Sequence, residues 1–109
     1  MAIPHAKPGE VIDVGPLGSA LAQAKTTTLV KTPTLEVIRL IIPEGKEICH
    51  HHDLAGEIMV QCLEGLITVQ IDGDTCVLEA SQMLYLAGGQ PHALRGIEDA
   101  SVLLTILLR

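Results

Sequence analysis

From Thr26 to Leu108 the chain never sustains a helical period. Short β-branched and aliphatic runs alternate with turn residues, at 26–31, 34–42, 57–64, 66–71, 74–79, 82–86, 92–95 and 101–108. Short strands with frequent turns predict an all-β domain, a small antiparallel sandwich or barrel. Within 66–71, Ile67, Val69 and Ile71 alternate with Thr68 and Gln70, the pattern of a half-buried strand. Asp72-Gly73 then predicts a two-residue hairpin, because both central residues of a type I′ turn need φ > 0.

The run at 34–42 is more constraining. Leu35, Val37 and Ile41 occupy one parity, Ile38, Leu40 and Ile42 the other, so the strand is apolar on both faces. One face belongs to the interior of a small barrel. The other must meet a second sheet or a second subunit. A homodimer is the expectation, with 34–42 and 102–108 among the surfaces covered.

Before this body, 1–9 reads as a loose arm, 10–14 as a short strand and 16–25 as one or two helical turns weakened by Gly18. The expected division is an N-terminal arm over 1–25 and a β domain over 26–109.

Four of the 5 histidines fall in two pieces, 43–65 (PEGKEICHHHDLAGEIMVQCLEG) and 88–92 (GGQPH). On a strand, His50 and His52 share a face with Cα atoms roughly 6.6 Å apart, and His51 points away. Two imidazoles so placed can converge on a divalent transition metal if further ligands arrive from elsewhere. Glu57, opening the next apolar run, and His92, after a Gly-Gly turn and Pro91, are the natural candidates.

These residues resemble the two motifs of the cupins. Gly45, His50, His52, Glu57 and Gly65 match the first motif, and Gly89 and His92 the second. The resemblance spans most of the chain from about Thr34 to Leu108. It implies a cupin-like jelly roll whose mouth holds a divalent ion on His50, His52, Glu57 and His92. Iron, manganese, nickel and zinc all accept such ligands. Two spacings depart from the family pattern. Four residues rather than five separate Gly45 from His50, so counting from Gly45 selects His51. Seven rather than six separate Glu57 from Gly65, so counting back from Gly65 selects Ile58. A bulge in that strand would make Gln61, on the face of Glu57, an additional oxygen ligand.

Composition narrows the function. The net charge is −6 and no basic run occurs, which argues against nucleic acid and anionic membranes as partners. No apolar stretch approaches a membrane span, and the first residues lack the features of a secretory signal, so a cytoplasmic protein is expected. Cysteines 49, 62 and 76 form an odd set without Cys-x-x-Cys spacing, which fits a reducing compartment and buried thiols. Trp and Phe are absent and Tyr85 is the only aromatic, so a small, non-stacking ligand is favoured. Tyr85 is expected to pack with its hydroxyl satisfied, and Arg39 and Arg95 to form salt bridges.

The function expected is a metal-dependent enzyme (dioxygenase, isomerase or lyase) on a small oxygenated substrate. The alternative is a non-catalytic metal- or ligand-binding, sensing module.

Overall fold

The computed structural model describes residues 5–50 and 56–108, His50 by its backbone alone. Among them are nine strands: β1 (Thr27–Lys31), β2 (Leu35–Ile42), β3 (Glu47–His50), β4 (Ile58–Glu64), β5 (Leu66–Ile71), β6 (Asp74–Glu79), β7 (Met83–Leu86), β8 (His92–Gly96) and β9 (Ala100–Leu107). They form two antiparallel sheets in the orders β1-β2-β9-β4-β7 and β3-β8-β5-β6. The sheets pack face to face and remain open instead of closing into one ladder. This is the expected all-β jelly roll.

Period-2 alternation decides which side chains fill the space between the sheets. Ile58, Val60 and Cys62 of β4 and Val102, Leu104 and Ile106 of β9 point inward from the larger sheet, and meet Ile67, Val69 and Leu94 of the smaller. Val60, Leu94, Val102 and Leu104 are fully buried, and burial of each such side chain stabilises the fold by roughly 1.5–3 kcal/mol. With one aromatic in the chain, aliphatic packing carries the core.

Turn chemistry places the strands as the sequence predicts. Asp72 and Gly73 both adopt positive φ, 48° and 88°, between β5 and β6. Gly65, between β4 and β5, has φ 86°, and a Cβ there would lie 2.2 Å from the Asp99 carbonyl oxygen, against the start of β9. The register between β4 and β9 shifts between Cys62 and Glu64, a bulge at Leu63.

The strand expected at 10–14 does not form. Residues 10–17 form neither strand nor helix, and the helical expectation reduces to a 3-10 helix, Gly18–Gln23, with Leu21 buried. Ionic anchoring takes the place of a ladder. On the outer face of the larger sheet, Arg39 is buried; its Nε donates to Ser101 Oγ (2.7 Å) and its Nη2 to the Gly15 carbonyl (2.5 Å). Glu64, 4.0 Å from that guanidinium, accepts from the backbone N–H groups of Leu17 (2.7 Å) and Gly18 (3.2 Å). The arm is thus fastened across one end of the sheet. Of the two salt bridges expected, Arg39 makes one, whereas Arg95 is exposed on the smaller sheet. Among the described residues no helix is long and apolar enough to cross a membrane.

Candidate metal centre

β3 pairs with β8 in the register Ile48↔Leu94 and His50↔His92. Residues directly opposite in an antiparallel pair belong to one face. Leu94 is fully buried between the sheets, so positions 48, 50, 92 and 94 share the inner face.

His92 is buried at 6% exposure, and its Nδ1 lies 3.1 Å from the Gln90 carbonyl oxygen. A carbonyl only accepts, so Nδ1 carries the proton and Nε2 is the lone-pair nitrogen of the neutral ring. Nε2 is itself shut off from solvent. A ring N–H donated to a backbone carbonyl is the usual way a metal-ligating histidine is oriented.

Gln90 is the residue that the sequence reading missed. Its side chain accepts from the Ala87 N–H (3.3 Å) and donates to Asp72 Oδ2 (2.9 Å), while its own N–H reaches the Ala87 carbonyl (3.4 Å). These contacts tie the turn before β8 to the β5–β6 hairpin. They fix the carbonyl that sets the His92 tautomer. The signal available was only position, two residues before the histidine and one before Pro91.

Glu57 and Gln61 fall elsewhere. The Glu57 carboxylate accepts from the Tyr85 hydroxyl (2.5 Å) in a groove on the outer face of the larger sheet, lined also by Met59, Thr105 and Leu107. Gln61 is registered between Met83 and Leu103 on that same outer face. Ile58 occupies the inward position at 2% exposure. The structure therefore does not bring Glu57 or Gln61 to the face of His92. The physical reason is parity: the extra residue between Glu57 and Gly65 shifts the carboxylate by one place, and one place is a change of face. The bulge at Leu63 follows Gln61 and does not turn it inward. Tyr85, expected to pack with a satisfied hydroxyl, is 56% exposed with that hydroxyl bonded to Glu57.

His51 and His52 lie outside the described residues. Among the described residues, no three His, Cys, Asp or Glu side chains are grouped to hold a metal ion, and His92 is the one buried imidazole or carboxylate. Cys62 also faces inward, where burial raises its pKa above the usual thiol value, opposed by a backbone hydrogen bond of Glu64; its thiol points to the Glu64 and Gly65 carbonyls. It is a protonated core residue and not a thiolate ligand.

A two-sheet antiparallel jelly roll with a buried histidine at the first residue of β8 defines a class, and comparison with known proteins supplies its name. The family model described as "Cupin domain" matches residues 38–107. The chain belongs to the cupin family. A conserved protein of unknown function from Streptococcus pyogenes is 26% identical over 100% of this chain and 96% of its own, with a TM-score of 0.74. The cupin domain of an XRE family transcriptional regulator from Enterobacter cloacae is 22% identical over 77% of this chain and 94% of its own, TM-score 0.67. A mutant salicylate 1,2-dioxygenase from Pseudoaminobacter salicylatoxidans is 20% identical over 74% of this chain but only 25% of its own, TM-score 0.67. The last two likenesses concern the fold alone. No curated protein matches the chain.

Proposed function

We propose that this cupin binds a divalent transition metal through His50, His52 and His92 and acts on a small oxygenated substrate as a dioxygenase, isomerase or lyase. One observation carries the reading: His92 is buried with Nδ1 committed to the Gln90 carbonyl, leaving Nε2 the basic nitrogen on the face to which position 50 also belongs. The donor set fits imidazole-binding ions such as iron, manganese, nickel or zinc. When bound, such an ion supplies Lewis-acid polarisation or dioxygen activation at positions the protein leaves open.

The chain's own residues do the rest. Gln90 holds the His92 ring in one tautomer. Ile58, Val69 and Leu94 line the inner space with hydrocarbon and keep bulk water out. With Ile58 in place of an inward carboxylate, the ligand set is neutral, so the ion's charge favours an anionic oxygen ligand. The three cysteines are free, which supports a reducing, cytoplasmic setting.

A second reading, a sensing module that binds a metal or small ligand and catalyses nothing, is favoured by one observation. The inner face offers no acid or base beside His92 among the described residues. Metal analysis of the untagged chain by plasma mass spectrometry, beside His92→Ala, tests the metal that both readings share. We expect near-stoichiometric metal in the parent and its loss in the variant; no metal in the parent after anaerobic reconstitution rejects the site. Oxygen uptake with small diols or diketones then separates enzyme from sensor.

A further inference from the structure

The registers carry the row of His92 to one end of the sandwich. β2 finishes at Ile42, and a Cβ on Gly96 of β8 would lie 3.0 Å from the Ile42 carbonyl oxygen, so these residues mark one end of the space between the sheets. At the other end, His50, His92, Ile71 and Asp74 stand opposite one another across the smaller sheet. Across the larger sheet the matching inner row is Lys31, Glu36, Ile106 and Ile58, fixed as inward by Ile106 and Ile58, each 2% exposed. Lys31 and Glu36 thus stand at the rim of the space that His92 faces, separated from Ile58 by β9 and not beside the imidazole.

Lys31 reaches that row only because of a bulge. Thr28 pairs with Ile38 and Val30 with Val37, which leaves Leu29 unopposed. Without the extra residue Lys31 would stand opposite Leu35 on the outer face. With it the ammonium meets Glu36, Nζ 3.5 Å from Oε1. A one-residue shift reverses the faces of a strand, and bulges gather beside active sites, where they re-aim a side chain. The Leu29 carbonyl accepts from the Ala6 N–H of the arm (2.8 Å), which holds the bulge.

Resting on the substrate-binding reading above, we infer that Lys31 anchors a carboxylate of the substrate: a small acid whose charged end is held at this rim while its oxygenated end extends between the sheets toward His92. Charge supports the assignment. Among the described residues Lys31 is the one cation on the inner rows, since Arg39 and Arg95 face outward and Lys46 lies at the opposite end. In a chain of net charge −6 an anion needs such a local cation to approach. Asp74, at the far end of the His92 row, repels the same anion and so sets its direction. The Lys31 and Glu36 side chains are 46% and 22% exposed, and an ion pair this open contributes little to stability. An ammonium has three N–H donors, so Lys31 can receive a second carboxylate without leaving Glu36.

Isothermal titration calorimetry of the full chain with succinate, glutarate and adipate, each beside its neutral diamide, tests the anchor, with metal content measured on the same samples. One or more of the acids should bind more tightly than its diamide. Lys31→Gln should weaken that acid roughly tenfold or more, the loss of a hydrogen bond between charged groups, and Lys31→Arg should restore most of it. Glu36→Gln removes the competing carboxylate and should tighten binding. Lys31 is on an edge strand and partly exposed, so its variants are compatible with folding, which a circular-dichroism melt checks. A parent that binds none of the acids, an acid that binds no better than its diamide, or a folded Lys31→Gln that binds as tightly as the parent overturns the inference. The metal site is judged separately. Lys31-dependent binding in a parent without metal upholds the anchor and rejects the metal, whereas metal retained with Lys31-independent binding does the reverse.

Discussion

Gly45 and Gly65, the two glycines of the first cupin motif, should fail by different amounts when replaced. Both hold positive φ, 82° and 86°, which costs an alanine roughly 1–2 kcal/mol. A Cβ on Gly45 meets nothing within 4 Å, whereas on Gly65 it lies 2.2 Å from Asp99 O and 2.8 Å from Ala100 Cα. Those are backbone atoms at the entrance to β9, and making room for the methyl group adds about 1–3 kcal/mol of overpacking. Gly96, whose φ is not positive, isolates that second cost, because its Cβ would meet Pro43 O at 2.6 Å. Gly45→Ala should therefore lower the thermal midpoint by about 4–8 °C for each kcal/mol lost, and Gly65→Ala by two to three times as much as Gly45→Ala. Asparagine tolerates the left-handed region, so Gly45→Asn should recover most of the loss and Gly65→Asn should not. Far-ultraviolet circular dichroism melts read all of these. Equal losses in Gly45→Ala and Gly65→Ala would refute the division between backbone angle and space.

Two further outcomes follow from the core and the arm. A thiol reagent should modify exposed Cys49 first and reach Cys62 only on unfolding. Because burial raises the folded-state pKa of Cys62, the unfolded chain loses the proton first as pH climbs through about 9. The stability this thiol contributes is complete below that pH and declines above it, and Cys62→Ala should remove that part of the alkaline slope in urea melts. Arg39→Ala should cost about 2–3 kcal/mol, since the Gly15 carbonyl and Ser101 hydroxyl lose a charged donor. It should also speed tryptic cleavage after exposed Lys25, and an unchanged cleavage rate would show that Arg39 does not hold the arm.

Most of the fold was legible because alternation and turn residues act locally. Ile67, Val69 and Ile71 announced β5, and Asp72-Gly73 its hairpin. The error at 10–14 has the same root. A strand exists only with a neighbour, and pairing is not a local property, so Val11 and Val14 looked like strand residues while the arm was being held by Arg39 and Glu64. At the site, the parity of His92 with position 50 was readable once the strands were known, and counting back from Gly65 already pointed to Ile58. What the sequence could not reveal was which face Glu57 takes, since a one-residue change in spacing leaves composition untouched and reverses the side chain. Gln90 was hidden because its role is exercised through a backbone carbonyl, which every residue possesses.

The buried guanidinium of Arg39 also bears on what counts as one unit of this protein. The family match begins at residue 38, one position before Arg39, yet the acceptors that complete that side chain belong partly to residue 15. The stretch matched by the family model is therefore shorter than the stretch that completes this side chain. If the matched segment were transplanted into a multidomain chain, as cupin modules are in larger proteins, the host would have to supply a carbonyl and two amide donors at this spot. Where the arm's sequence is free to drift, those backbone groups are what selection can retain, because they constrain its path while leaving nearly every one of its side chains open to change.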